Sequence, residues 1–309
     1  MTEATTRTHS LRHATRTRVS LRRDRSNAFG WLLASPYVIG LTLFSILPLA
    51  YAVYESLQPS TSLSGGNAFV AAFTDFRLIP ALVNVGTYMA IYLPIMVVGT
   101  VVLALLVDVQ QRRFGVFIRL VYVLPGVITG SASVLLWYLM LEPKTSPFGP
   151  VLNLIGFHSN SDMFIGRNLP VLFALMAFAT GFGQWVVVLH GSLQSISGDV
   201  LEAAKIDGAN DLQTALQIKV PLIAKYISYM LVLSFAGALQ IFAEPLILDT
   251  IANVGGATWS INQLGLYFAF NNGDFASAAA LSLVLLVACL IVAVLTIRKG
   301  GLFNTEVTE

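Results

Sequence analysis

Residues 78–107 read LIPALVNVGTYMAIYLPIMVVGTVVLALLV, a stretch without one Asp, Glu, Lys or Arg. A helix needs roughly 20 apolar residues to cross a hydrocarbon core about 30 Å thick, so this run is long enough. Five more charge-free runs cover 26–54, 120–141, 168–198, 226–243 and 275–297. The composition agrees: 56% of the 309 residues are hydrophobic and 11% charged, where a soluble domain has about 25% charged. Six spans leave no room for a separate soluble domain. The expected fold is an all-α polytopic membrane protein with six transmembrane helices, at about 29–54, 84–107, 116–141, 170–190, 225–248 and 276–297 of a membrane domain covering 29–298.

The few charges give the orientation. With six spans the connections alternate between the two sides. One side receives Arg7, Arg12, Arg16, Arg18, Arg22, Arg23, Arg25, Arg112, Arg113, Arg119, Lys205, Lys219, Lys225, Arg298 and Lys299, and the other only Arg77, Lys144 and Arg167. By the positive-inside rule, the N- and C-termini are both expected in the cytoplasm. Residues 1–28, rich in Arg, Thr and Ser, read as a basic disordered tail held against anionic lipid or as an organellar transit peptide; the tail also supplies the topology signal. No cleavable signal peptide is expected, because the first apolar run is too long and ends at Glu55. Residues 299–309 form a short cytoplasmic tail. Cys289, the single cysteine, lies in the last span and reads as a small packing residue.

Irregular points can be anticipated. Pro36 and Pro48 mark kinks in the first span, and Gly65 and Gly66 a loop after it. Pro125, Gly126, Gly130, Ser131 and Ser133 make the third span one that neighbours approach closely. A loop with Pro143, Pro147 and Pro150 follows, with room for a short helix near 151–155. His190, at the inner end of the fourth span, reads as a snorkelling residue.

The connection between the fourth and fifth spans differs from the others. Some 30 residues long, it carries its own helix signals. Asp199 and Glu202 have the spacing of a capping box, and Gly208 stands where a left-handed residue would end the helix. Asn210 and Gln213 repeat the box for a second helix, which Pro221 is expected to close. The result is a helix–glycine–helix elbow over 199–221, with Ala203, Ala204 and Gly208 at its corner; a loop lying on the headgroups fits the same spacing.

At this point the chain resembles a family. Glu202-Ala203-Ala204, three residues, Gly208, nine residues, Ile218 and Pro221 resemble the EAA loop of binding-protein-dependent ABC importer permeases, with Val220 where the pattern has leucine. Lys205-Ile206-Asp207-Gly208-Ala209 is similar to the carbohydrate branch, the maltose-type and glycerol-3-phosphate-type permeases. Residues 148–156, Leu193-Gln194-Ser195-Ile196, Gly255-Gly256 and Leu266-Tyr267-Phe268-Ala269-Phe270 with Gly273 resemble further stretches of that branch, so the resemblance covers about 30–300. Two features depart from it. Ser197-Gly198 replace a proline, and Leu212 and Ala215 replace aromatics of the elbow's second half.

The resemblance implies a type I importer permease working with a second six-span permease, two ATPase subunits and an extracytoplasmic binding protein in a prokaryotic inner membrane. It also implies that Glu202, Ala203, Ala204, Asp207, Gly208, Ile218 and Pro221 dock the ATPase. Glu202 has a competing role as a cap. The missing aromatics imply weaker docking or a differently shaped ATPase. The chain has no phosphate-binding Gly-x4-Gly-Lys-Ser/Thr loop, so it is expected to be no enzyme and to bind no cofactor, ATP and Mg being held by its partners. Nor do its residues suggest a metal site or a nucleic-acid partner.

For the translocation path, polar residues within spans are the candidates, because burying them in lipid is costly. These are Ser133 and Trp137 with Gly130 on the third span, Gln184 and Trp185 on the fourth, and Ser234, Gly237, Gln240 and Glu244 on one face of the fifth. Hydroxyl-directed hydrogen bonds and aromatic stacking suit a sugar or polyol; interhelical packing would use the same residues. A secondary transporter or channel needing no ATPase is the other class open to the chain. Such a protein should show more intramembrane acid–base groups and paired interrupted helices.

Overall fold

The computed structural model describes residues 31–62, 66–109, 112–128 and 130–300, without the side chains of 112–116, 299 and 300. The basic tail at 1–28 and the chain beyond 300 lie outside the described residues. The chain divides into two units, 1–55 and 56–309. The described residues contain five helices long and apolar enough to cross a membrane, six when one bent pair counts as a single span.

The first unit is the helix Trp31–Ser56 (α1) up to Glu55. Pro48 has no N–H, and its ring crowds the carbonyl four residues back. The helix widens just before it into a π segment at Thr42–Ile46, where the Leu47 N–H reaches the Thr42 carbonyl. The expected irregularity at this proline is a local change of helix type.

The second unit begins with a small hairpin, Pro59–Ser60 (β1) antiparallel to Gly66–Asn67 (β2), pairing Pro59 with Asn67 and Ser60 with Gly66. Asn67 then caps Ala68–Thr74 (α2), its side chain accepting from the Phe69 N–H at 2.8 Å. The next helix, Leu78–Asp108 (α3), starts six residues before the expected 84 and continues through Pro94.

The expected third span is two helices, Arg112–Val127 (α4) and Gly130–Met140 (α5), bent by 100°. Pro125 weakens the first helix near its end, and Gly130, at φ +62°, takes the left-handed conformation that turns the chain. Short helices follow at Gly149–Leu154 (α6), where the sequence suggests one, and at Asn160–Met163 (α7). Leu169–Leu193 (α8) packs along α3 and α4.

The contact between α4 and α8 depends on glycine. A β-carbon on Gly183 would lie 2.0 Å from the Tyr122 carbonyl oxygen, and one on Gly126 2.6 Å from that of Thr180. Helices in lipid gain nothing from hiding apolar surface, so association rests on van der Waals contact, which small residues bring within reach.

The elbow occupies Gly198–Ile206 (α9) and three contiguous helical segments, Asp211–Gln213, Thr214–Lys219 (a π segment) and Val220–Leu222, together α10. Pro221 does not close the second helix as expected: it sits inside the last segment, after the wide π turn, and the helix stops at Ile223.

The expected fifth span, one membrane-length segment over Ala224–Ala252, is interrupted between Ala224–Leu239 (α11) and Ala243–Ala252 (α12) without the sharp bend of the third. Pro245 explains the break, since its ring would collide with the carbonyl of Ile241 in a continuous helix. Ile261–Leu266 (α13) runs into a π turn at Tyr267–Asn271, and Phe275–Gly300 (α14) completes the unit. Cys289 is half-buried within α14.

At the end away from the elbow, Asp274 ties the hairpin to α14. Its Oδ2 accepts from Ser60 Oγ at 2.6 Å, Ser277 Oγ at 2.8 Å and the Ser62 N–H at 3.2 Å, and its Oδ1 from the Ser277 N–H at 3.1 Å. Burial opposes ionisation of this carboxyl, but the donors outweigh it and hold its pKa at about 2.

Candidate functional site

The elbow is built by local rules. Ser197, not Asp199, caps α9, its side chain accepting from the Asp199 N–H at 3.3 Å. The expected Asp199–Glu202 box is absent. Ser197 sits two residues earlier and takes the role, leaving Asp199 in the first turn, where negative charge suits the helix dipole. Glu202 is therefore exposed in mid-helix with no capping task.

The far end of α9 forms the expected left-handed stop: the Ala209 N–H bonds the Ala204 carbonyl at 3.0 Å, the Gly208 N–H bonds that of Lys205 at 3.1 Å, and Gly208 has φ +80°. Asn210 and Gln213 make the expected reciprocal box, at 2.8 and 2.9 Å.

Glu202, Ala203, Asp207, Gly208 and Pro221 are exposed on this elbow, and Ile218 is half-buried. Ala204 is buried at 5% exposure, so it packs within the chain and offers no contact surface, against expectation. The sequence did not single out two of the apolar residues around them, Ile206, 86% exposed, and Leu216, 56% exposed; Leu212, noted there only as a missing aromatic, is 68% exposed. Leu212 thus keeps an exposed apolar side chain where the related pattern has an aromatic, while Ala215 is half-buried.

The root of the elbow is well packed. Ile223 is buried among Ala104, Val107, Leu189, Leu193 and Met230. Beside it, Lys219 Nζ donates to Asp108 Oδ2 at 2.6 Å, and His190 Nδ1 lies 3.9 Å from Asp108 Oδ1. His190 is 4% exposed and so does not snorkel. It lies against the end of α3, a contact its sequence position did not suggest.

The candidate path residues fall into two groups. Ser133 and Trp137 line a cavity of about 380 Å³ with Pro125, Phe148, Leu152 and Thr180, between the two halves of the broken third span, α6 and α8. Thr180 was not anticipated; it lies one turn from Gln184, which is exposed on α8. Trp185 is half-buried and meets Tyr229 of α11 edge-on at 5.9 Å.

The second group does not form the expected single face. Ser234 is buried on α11, Gly237 and Gln240 are exposed, and the break after Leu239 puts Glu244 on α12. Glu244 is half-buried, within electrostatic reach of the stacked pair Tyr88 and Tyr92 on α3.

Helices of membrane-crossing length, with a helical elbow rooted among the helix ends, define a polytopic membrane protein. Comparison with known proteins makes this specific. The chain is a homologue of ABC-transporter permeases along most of its length. It is 27% identical to the probable ABC transporter permease protein YurN of Bacillus subtilis, over 89% of this chain and 97% of that one. It is 26% identical to the sn-glycerol-3-phosphate transport system permease protein UgpA of Salmonella typhimurium, over 89% and 94% of the two chains. To the arabinooligosaccharides transport system permease protein AraP of Halalkalibacterium halodurans it is 23% identical, over 89% and 88%. No protein-family model matches the chain. Its fold is that of a permease in the crystal structure of a bacterial ABC transporter involved in the import of the acidic polysaccharide alginate, with a TM-score of 0.77 at 20% identity over 92% of this chain and 100% of that one.

Proposed function

We propose that the chain is the permease subunit of an ATP-driven importer for a sugar, from polyol to oligosaccharide, and that it alternates between inward- and outward-open states through its elbow at 202–221. The observation that carries the reading is the elbow itself. It holds its corner at Gly208, exposes Ile206, Leu212 and Leu216 to a partner, and is rooted through Ile223 among the ends of α3 and α8.

In this reading the partner is a pair of ATPase subunits that bind the ATP and Mg, so this chain transports and does not catalyse. A second six-span permease would cover the exposed Gln184, Gly237 and Gln240, since amides left facing lipid are costly. An extracytoplasmic protein delivers the solute, as a periplasmic binding protein accompanies the related alginate transporter. The elbow and both termini lie in the cytoplasm, and the membrane is a prokaryotic inner one. Ser133, Trp137 and Thr180 supply hydroxyls and an aromatic face to the solute, and the lysines and arginines of the spans stand near their inner ends, which suits an uncharged sugar.

The test is an affinity pull-down from native membranes of the wild type beside Gly208→Asp, with co-purifying subunits identified. At φ +80° a side chain costs about 1–2 kcal/mol of backbone strain, and Asp adds a charge beside the apolar patch. The wild type should bring down a second permease and an ATPase, and the variant should lose the ATPase. A wild type that purifies alone and transports without ATP in proteoliposomes would leave the secondary-transporter reading instead.

A further inference from the structure

Of the helices that meet at the elbow's root, two are joined to it covalently: α8 runs into it and α11 runs out of it. Another, α3, ends at Asp108, 111 residues away in sequence from Lys219. Any movement of the elbow reaches α3 only through non-covalent contact. Among the described residues, the polar part of that contact is concentrated on one carboxylate.

Asp108 Oδ2 accepts from Lys219 Nζ on α10 at 2.6 Å, and Asp108 Oδ1 faces His190 Nδ1 on α8 at 3.9 Å. The side chains of Lys219, Asp108 and His190 are 17%, 15% and 5% exposed, and Arg119 lies within electrostatic reach of His190. A charge-assisted bond this short, largely shielded from water, is stronger than a surface pair. The apolar contacts beside it, Val107 and Ala104 against Ile223 and Leu193, are non-directional and tolerate sliding. The ionic pair does not.

We infer that Asp108 and Lys219 are positioning residues that lock the inner end of α3 to the elbow, so that α3 travels with the elbow when the ATPases move it. The inference rests on the proposed function and adds to it the element through which motion reaches Tyr88 and Tyr92, the part of α3 that faces Glu244.

The experiment uses the complex recovered in the pull-down, in a Cys289→Ala background, with spin labels at Leu106→Cys on α3 and Gln217→Cys on α10. Spin–spin broadening is read without nucleotide and with a non-hydrolysable ATP analogue and Mg. With the pair intact, broadening should be the same in both states. In Asp108→Asn and in Lys219→Met the ATPase should remain bound, yet broadening should be lost on adding the nucleotide. The exchange Asp108→Lys with Lys219→Asp should restore it.

Broadening that survives nucleotide in both single variants, with the ATPase still bound, would overturn the inference, because α3 would then follow the elbow by other contacts. So would loss of the ATPase from the single variants, which would make the pair part of the docking surface. A wild-type chain that brings down no ATPase at all fails earlier and overturns the functional reading itself.

Discussion

Gly183→Ala should destabilise the protein severely, although it adds one methyl group to a helix. In most helices the change from glycine to alanine stabilises by about 0.5–1 kcal/mol, because glycine loses more backbone freedom on folding. Here the new β-carbon would stand 2.0 Å from the Tyr122 carbonyl oxygen, 2.5 Å from its carbon and 2.9 Å from the Val123 nitrogen. All three are backbone atoms of α4, and no rotamer change can move them aside. The two helices must separate, and the edge contact of Tyr122 with Phe182, at 5.4 Å between centroids, separates with them. Overpacking usually costs about 1–3 kcal/mol; a clash with rigid backbone on both sides of the seam should cost about 4 kcal/mol or more. With a shift of about 2–4 °C per kcal/mol for a domain of this size, the detergent-solubilised protein should melt roughly 10 °C lower. Gly86→Ala is the control, since nothing lies within 4 Å of its β-carbon. It should melt at or above the wild-type temperature, and equal melting of the two variants would refute the close-packed seam.

That seam shows which parts of the structure the sequence makes legible. Gly126 announced itself as a small residue beside Pro125, and close approach there follows from residue type. Gly183 carries no such sign, because its partner, the Tyr122 carbonyl, is 61 residues away and only the fold brings the two together. The spans divide in the same way. Charge-free runs locate them because crossing lipid depends on composition over about 20 residues. Whether a span stays straight depends on one proline and its surroundings: Pro94 is absorbed within α3, whereas Pro245 ends α11 and starts a new helix. The face read from Ser234, Gly237, Gln240 and Glu244 assumed one continuous helix and failed there.

The glycine stop at 208 and the cap at 210 were legible to the residue, because caps and glycine stops are rules of short range. Asn210 with Gln213 and the stop at Gly208 both stand where their spacing puts them. The error at the start of α9 also has a local cause: Ser197 and Asp199 are both good caps, and the choice between them turned on a difference of two positions. What the sequence could not carry is the root of the elbow. Asp108, His190 and Lys219 come from three separate segments, and nothing in their own neighbourhoods marks them as neighbours. Nor does a helical pattern separate the buried Ala204 from the exposed Ala203 beside it, because that depends on what lies against each.

Replacing Asp274 should have the second large effect, at the opposite end of the unit. This carboxylate collects four donors from Ser60, Ser62 and Ser277 and also caps α14. Asp274→Ala removes the cap, worth about 1 kcal/mol, and takes from the fully buried hydroxyls of Ser60 and Ser277 the acceptor they share, leaving the 3.2 Å bond between them, a loss of about 1–3 kcal/mol. The total should be about 3 kcal/mol, seen as a lower melting temperature and as looser attachment of β1 to α14. Asp274→Asn keeps the shape and removes the charge, which allows the two contributions to be separated by pH. Because folding lowers the carboxyl from 3.8 to about 2, ionisation stabilises the native state fully above pH 4. That contribution fades as the pH falls from about 4 towards 2, where the folded carboxyl also takes up its proton. Wild type and Asp274→Asn should therefore differ most at neutral pH and converge below pH 4. A difference in melting temperature that stays constant from pH 7 to pH 3 would show that Asp274 acts through shape and hydrogen-bond count alone, with no contribution from its charge.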